Sequence, residues 1–152
     1  MAELVARAKM LIRRPATETF DAFVQPDLIT RFWLKGTTGP LGQGAQVEWQ
    51  FMVPGATERV NITAFDKPRH IAFAWAESGL GVDIKFFEEQ RSITVVSVEV
   101  RGFEVEGGTD QVVNATEGFS IVLCDLKVLL ESGHSANLVK DKAELIHGAR
   151  NA

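Results

Sequence analysis

The chain has 152 residues, of which 45% are hydrophobic and 24% charged, and these values are typical of one globular domain. A domain of this length can bury a hydrophobic core without disulfide bonds or metal ions. Its net charge is −4 and its lysines and arginines are scattered, which argues against nucleic acid as a partner. A single cysteine, Cys124, excludes an intramolecular disulfide and fits a reducing compartment. No segment has the features of a signal peptide or a membrane span, so we predict a soluble, cytoplasmic protein.

The N-terminal third predicts one strand followed by two short helices. Residues 4–12 form an apolar run that Pro15 closes, and we predict a strand there. Residues 16–24 carry acidic side chains early and phenylalanines on one face, which predicts a helix. Pro26 then starts a second short helix, because proline suits the first helical turn. The glycines in residues 36–44 predict a flexible loop.

After this loop the hydrophobic pattern changes to a period of two. Five short runs alternate apolar and polar residues and are separated by turn residues such as Pro54-Gly55, which predicts successive antiparallel strands. Strands with one apolar and one polar face make a meander that needs a covering layer. The runs are centred on Trp49, Ile62, Phe73, Ile84 and Val98.

A long amphipathic helix is predicted over residues 116–133, and it supplies the covering layer. Thr116 or Ser120 is expected to cap its start, and Gly133 to end it in the left-handed conformation. Asp125 is placed on its solvent-facing side. Residues 134–152 are expected to form a polar tail with one helical turn. The apolar face of the helix consists of Phe119, Val122, Leu123, Leu126, Leu129 and Leu130.

Five short motifs spread over residues 5–133 carry a resemblance to a known family. They are Phe32-Trp33 after a proline-led helix, Gly44 before Trp49 and Phe51, Pro68-Arg69 before Trp75, Thr94 before Gly102-Phe103, and Gly118-Phe119 before Leu130-Glu131-Ser132-Gly133. In this order they resemble the bacterial homologues of the activator of the heat-shock-protein-ninety ATPase. Phe119 stands where that family usually has tryptophan, which implies a different pocket end.

The resemblance implies an α+β helix-grip, or START-like, fold. In this fold a curved antiparallel sheet of about six to seven strands wraps around a long C-terminal helix, with two short helices after the first strand. We expect a single domain over residues 1–152, with a core at about 4–133 and a C-terminal extension at 134–152. The family is defined by fold more than by activity, and its co-chaperone role belongs to eukaryotic members with an additional domain.

The main functional expectation is an aromatic-rich pocket between the sheet and the long helix. Aromatic clefts are typical ligand sites, and a buried indole prefers a hydrogen-bond partner that a ligand can supply. The alternative is that the same side chains only fill the core. The expected ligand-binding residues are Trp33, Trp49, Phe51, Ile62, Phe73, Trp75, Ile84, Phe86, Phe119, Leu123 and Leu126.

Catalytic and metal-binding groups are not evident in the sequence. The histidines at positions 70, 134 and 147 have no metal-site spacing, and Cys124 has the surroundings of a structural thiol. Glu48 and Asp83 could act as general bases only if their strands turned them inward. We therefore assign no catalytic residue, no metal ligand and no cofactor.

Three functions of different classes remain open. The first is the binding of a small hydrophobic or amphipathic molecule without catalysis. The second is a chaperone-accessory role that stimulates a heat-shock ATPase, as the family name implies. The third is an enzyme acting on an aromatic or polyketide-like substrate, as in some helix-grip relatives. We also expect that two copies could pair through an exposed valine-rich edge strand at residues 95–100 and through the tail, giving a homodimer.

Overall fold

A computed structural model gives the fold of residues 3–151, with side chains up to Gly148. Within these residues seven strands form one antiparallel sheet that two short and two longer helices accompany, which confirms the predicted helix-grip α+β class. The elements are β1 Ala6–Ile12, α1 Ala16–Val24, α2 Pro26–Phe32, β2 Leu34–Thr37, β3 Gln46–Phe51, β4 Thr57–Asp66, β5 His70–Trp75, β6 Gly81–Gln90, β7 Ile93–Arg101, α3 Thr109–Ser132 and α4 Leu138–Asn151.

The sheet has the strand order β1-β7-β6-β5-β4-β3-β2, so β3 to β7 are a simple meander. The period-two pattern explains the two faces, since alternate residues along each strand point to opposite sides. In β7 the residues at even positions, from Thr94 to Val100, are buried, and those between them are partly exposed. The buried face is the concave one on which the helices pack.

The two short helices close one end of the concave face with aromatic side chains. In α1, Phe20 has its ring centroid 5.2 Å from both Phe65 and Phe86. Phe23 makes an edge contact with Phe32 of α2 at 5.5 Å. These rings fill this end of the core, as the phenylalanine spacing predicted.

The apolar face predicted for α3 is confirmed, but the helix begins at Thr109 and not at Thr116. The hydroxyls of Thr116 and Ser120 donate to carbonyl oxygens one turn earlier, at 2.7 Å each, so neither residue caps the helix. Gly108 holds the N-cap position, where an added Cβ would lie 1.9 Å from the Glu104 carbonyl oxygen. Gly133 ends the helix with a φ of 91°, as predicted.

The predicted polar tail is a 14-residue helix, α4, and this corrects the sequence interpretation. Asp125 was expected on the solvent-facing side of α3, yet it is only 1% exposed. Its carboxylate accepts hydrogen bonds from the Ser135 hydroxyl at 2.6 Å and from the Ala136 N–H at 2.8 Å. Farther along, Lys142 of α4 forms an ion pair with Glu117 of α3. The two helices therefore form an antiparallel hairpin.

The expectation of an exposed edge strand at residues 95–100 is wrong. Strand β7 pairs with β6 on one side and with β1 on the other, so it lies inside the sheet. The edges are β1 and the short strand β2, which the glycine-rich pattern concealed. On the free side of β1, Lys127 Nζ donates to the Leu11 carbonyl at 2.7 Å, and Glu131 accepts from the Arg13 N–H at 2.8 Å. No helix among residues 3–151 is long and apolar enough to cross a membrane.

Candidate ligand-binding cavity

A cavity of about 320 Å³, partly open to solvent, lies between one end of the sheet and the helices α3 and α4. Ligand pockets usually range from about 300 to 1,000 Å³, so this one suits a small molecule. Its lining consists of Trp33, Phe51, Met52, Val53, Ala56 and Trp75 on the sheet side, Ala115, Gly118, Phe119, Ile121 and Val122 on α3, and Val139, Lys142, Ala143 and Ile146 on α4.

Aromatic rings form the sheet side of the cavity. Phe51 and Trp75 stand at the ends of β3 and β5, on the concave face, with ring centroids 5.9 Å apart. Trp33 directly follows α2 and makes an edge contact with Phe119 of α3 at 5.5 Å. The Phe119 ring also stacks on Trp75, at 6.0 Å and an interplanar angle of 18°. Rings from the sheet and from α3 therefore hold each other in place.

The indole nitrogen of Trp75 is an unusual polar atom in this wall. It is buried, and it has no hydrogen-bond partner among the described residues. A buried donor without a partner costs about 1–3 kcal/mol, so such groups are rare in folded proteins. Because the nitrogen has almost no accessible surface, a molecule in the cavity does not reach it unless the surrounding side chains move.

Gly118 leaves space on the α3 side. It lies well inside a 24-residue helix, where glycine is about 1 kcal/mol less favourable than alanine. A Cβ placed on Gly118 would meet no atom within 4 Å. Packing therefore does not require glycine here, and the missing side chain enlarges the cavity.

Helix α4 supplies the third wall and, among the described lining residues, the one charged side chain. Val139, Ala143 and Ile146 face the cavity with the three- and four-residue spacing of a helix face. Lys142 lies between them, and its ammonium group pairs with Glu117 of α3. The side chains of this ion pair are 31% and 53% exposed, so water reaches both groups.

The structure divides the eleven predicted ligand-binding residues into two groups. Trp33, Phe51, Trp75 and Phe119 line the cavity. The other seven lie outside its lining, either buried in the core or, for Ile62, partly buried against it: Trp49, Ile62, Phe73, Ile84, Phe86, Leu123 and Leu126. Trp49 stands directly behind the lining, with its ring centroid 4.9 Å from Trp33. The predicted aromatic set therefore separates into a cavity wall and a packed layer behind it.

Sequence reasoning missed the α4 wall and the turn at residues 52–56. A signal for α4 was present, because Val139, Ala143 and Ile146 recur at helical spacing inside the segment interpreted as a tail. No comparable signal marked the turn, whose residues come near the cavity only because β3 ends there.

The polar residues considered for catalysis lie away from the cavity lining. His70 Nε2 is 2.7 Å from the Asp83 carboxylate on neighbouring strands, on the face of the sheet opposite the helices. Glu48 is exposed on β3. Cys124 is partly buried on α3. None of these four side chains lines the cavity.

Two carboxylates stand where β4 begins and β5 ends. The Glu77 N–H donates to Glu58 at 2.9 Å, and the Arg59 N–H donates to Glu77 at 2.8 Å. Burial raises the pKa of Glu58, whereas the bond from the Arg59 backbone lowers the pKa of Glu77. These bonds join the ends of the two strands, outside the cavity lining.

Comparison with known proteins places the chain in a family. The family model described as Activator of Hsp90 ATPase homolog 1-like protein matches residues 13–131. The chain belongs to this family. The matched segment covers the sheet from β2 to β7 and nearly all of α3, and it ends before α4. No curated protein matches the chain significantly.

Solved structures share the architecture of this Activator of Hsp90 ATPase homolog 1-like chain. The protein SSP2350 from Staphylococcus saprophyticus is 28% identical, with a TM-score of 0.76 over 86% of this chain and 94% of its own. The Aha1 dimer from Colwellia psychrerythraea has 17% identity, a TM-score of 0.75, and coverage of 88% and 98%. CalU16 from Micromonospora echinospora has 16% identity, a TM-score of 0.66, and coverage of 97% and 96%. The last two similarities concern the fold alone.

Proposed function

We propose that the protein binds a small hydrophobic or amphipathic molecule in the cavity between the sheet, α3 and α4. The observation that carries this proposal is the cavity itself, which has about 320 Å³ of space and an almost wholly apolar lining. A pocket of this kind with few polar groups is typical of small-molecule sites. Burying the apolar surface of a ligand there would supply the main driving force.

A local feature of α3 supports the proposal beyond the volume. Gly118 keeps space open at a cost in helix stability. This glycine does not improve the stability of the empty protein. It is accounted for if a ligand occupies the space.

The side chains of the lining favour ligand binding over catalysis. Among the lining residues, no side chain carries a carboxylate, a hydroxyl or an imidazole, and the one amine, that of Lys142, is held in an ion pair with Glu117. The enzymatic alternative, an aromatic or polyketide-like substrate, therefore gains no support from this site.

The chaperone-accessory role remains a second candidate, because the family description refers to activation of the Hsp90 ATPase. Its test is the ATP turnover of a heat-shock ATPase with and without excess protein. Stimulation would support this role, and unchanged turnover would remove it.

The binding proposal is tested with phenylnaphthylamine, a neutral apolar dye that becomes fluorescent in apolar surroundings. We expect dye emission and energy transfer from the cavity tryptophans. Replacing Gly118 by leucine should weaken dye binding at least about tenfold, because the side chain projects into the cavity volume. Gly148→Leu is the matched control, since Gly148 is a helical glycine outside the lining with equally open surroundings.

Failure of the wild-type protein to bind the dye, together with no small molecule retained in native mass spectrometry of fresh protein, would contradict the proposal. Equal weakening by the substitutions at Gly118 and Gly148 would also contradict it, because the effect would then be unrelated to the cavity.

We also propose that the protein is cytoplasmic and forms homodimers, as the sequence analysis expected. The dimeric relative from Colwellia psychrerythraea supports the second point. Interior strand β7 is not available for pairing, but Val113 and Leu145, 59% and 70% exposed, lie on the helical hairpin. Light scattering during gel filtration should give twice the monomer mass, and a monomer at high concentration would contradict this.

A further inference from the structure

The polar side-chain groups of the cavity wall are all of one kind. Among its described lining residues, only the indoles of Trp33 and Trp75 and the ammonium of Lys142 bring side-chain nitrogen or oxygen. An indole N–H donates and cannot accept, and an ammonium group has three donors and no acceptor. Every nitrogen or oxygen that these side chains present is therefore a hydrogen-bond donor.

One of these donors is accessible to a ligand and has unused capacity. Trp75 Nε1 is buried and has almost no accessible surface, so the cavity does not reach it. Lys142 has three N–H donors, and its ion-pair partner, Glu117, is half exposed and stands outside the cavity lining. A ligand with acceptor oxygens would bond to this ammonium group, whereas a ligand with only donors would leave its own polar atoms unpaired.

From this inventory we infer that the ligand is an amphipathic acid, with an apolar body and one anionic end that Lys142 meets. The inference rests on the proposed binding function and specifies its ligand class. The apolar body lies among Trp75, Gly118 and Phe119. A carboxylate and a phosphate monoester share the required chemistry, since both present several acceptor oxygens and a negative charge.

Because Lys142 lies on α4, this helix selects the head group of the inferred ligand. The matched family segment ends at residue 131, so this cation belongs to a helix outside it. The methylene groups of Lys142 extend the apolar wall, and its ammonium group reaches water. This arrangement keeps the charged end of the ligand near solvent while its body is buried.

The test measures displacement of phenylnaphthylamine by four compounds with the same ten-carbon chain: decanoate, decyl phosphate, decanol and decylamine. Equal chains make the apolar contribution nearly constant, so differences report the head group. We expect at least one of the two anions to displace the dye at about tenfold lower concentration than decanol. Decylamine should be the weakest competitor, because its charge faces that of Lys142. The ratio between decanoate and decyl phosphate distinguishes the two anionic head groups.

Substitution of Lys142 by methionine keeps the apolar stem and removes the charge. The advantage of the anion over decanol should then fall to about twofold or less. Lys140→Met is the matched control, since Lys140 is an exposed lysine of α4 outside the lining, and this variant should keep the full advantage.

The outcomes separate this inference from the function on which it rests. Dye binding with equal displacement by all four compounds would overturn the acid preference and leave the binding function intact. A preference that survives in Lys142→Met, or is lost equally in Lys140→Met, would also overturn the inference. Absence of binding by the dye and all four compounds would overturn both.

Discussion

At the scale of single residues, Asp125 shows how one buried carboxylate can fix the position of a helix. It lies in the apolar interior next to Leu126, and its two acceptor bonds go to Ser135 and Ala136 in the connection between α3 and α4. These bonds hold the chain where it turns back. The cavity depends on them indirectly, because α4 forms one of its walls.

Replacing Asp125 by alanine should destabilise the protein by about 3 kcal/mol, because both hydrogen bonds to its buried carboxylate are lost. Ser135→Ala removes one donor and keeps the carboxylate, so roughly half that loss is expected. Urea unfolding measures both values. A loss in Asp125→Ala no larger than in Ser135→Ala would show that the Ala136 bond contributes nothing.

Glu131 provides a pH-dependent contribution at the same scale. The hydrogen bond from Lys127, and next the Arg13 N–H, lower the pKa of Glu131 below its ordinary value of 4.5, although burial opposes them. A lowered pKa in the folded state adds stability above the unfolded-state pKa, and this stability is lost as the pH falls through the folded-state value. The contribution should therefore be complete at neutral pH and be lost progressively as the pH falls below 4.5.

Urea midpoints measured from neutral to acidic pH for wild type and Glu131→Gln test this expectation. The difference between the two proteins should shrink as the pH falls below 4.5. Glu144→Gln serves as the control, since Glu144 is an exposed residue of α4. A constant difference across this range would contradict the assigned role of Glu131.

At the scale of elements, the hydrophobic periodicity of the sequence predicted the helices and strands whose one face is buried. The period-two runs gave β3 to β7, and the phenylalanine spacing gave α1, because burial of one face dictates both patterns. Strand β2 was missed since its four residues, from Leu34 to Thr37, are too few to show alternation. The start of α3 was misplaced because Thr116 and Ser120, residue types that favour N-caps, lie inside the helix, where their hydroxyls bond to the preceding turn.

The candidate site was harder to predict than the fold, for a reason that the aromatic residues illustrate. Trp49 and Trp75 both occupy inward-facing positions of a period-two run, so both were expected to touch a ligand. In three dimensions Trp75 is at the end of β5 and lines the cavity, whereas Trp49 is 1% exposed in the core. Position along the strand, and not residue type, decides between wall and core. Asp125 was misjudged similarly, because its partners lie in the segment taken for a tail.

At the scale of the whole molecule, the walls of the cavity come from parts of the chain that are buried to different extents. Its sheet side rests on the core, whereas α4 packs on α3 and exposes Leu145. Segments with less buried surface open more easily than core strands. Occupation of the cavity should therefore protect α4 more than it protects the sheet.

Hydrogen exchange with and without decanoate tests this consequence. We expect the largest slowing in residues 138–147 and in the turn at 52–56, with little change in β6 and β7, which do not touch the cavity. Uniform slowing over the chain would indicate only global stabilisation by binding. Slowing confined to strands away from the cavity, such as β6 and β7, would place the ligand elsewhere.

The side-chain hydrogen bonds along the free side of β1 affect the tendency of this sheet to aggregate at high protein concentration. An unpaired strand edge is a template on which another chain can add a strand, the first step toward fibrils. Lys127 and Glu131 already occupy backbone groups of Leu11 and Arg13 on that edge. An incoming strand would have to displace both charged side chains from α3. Recruitment of further strands is thereby discouraged at β1, and the remaining edge, β2, is only four residues long.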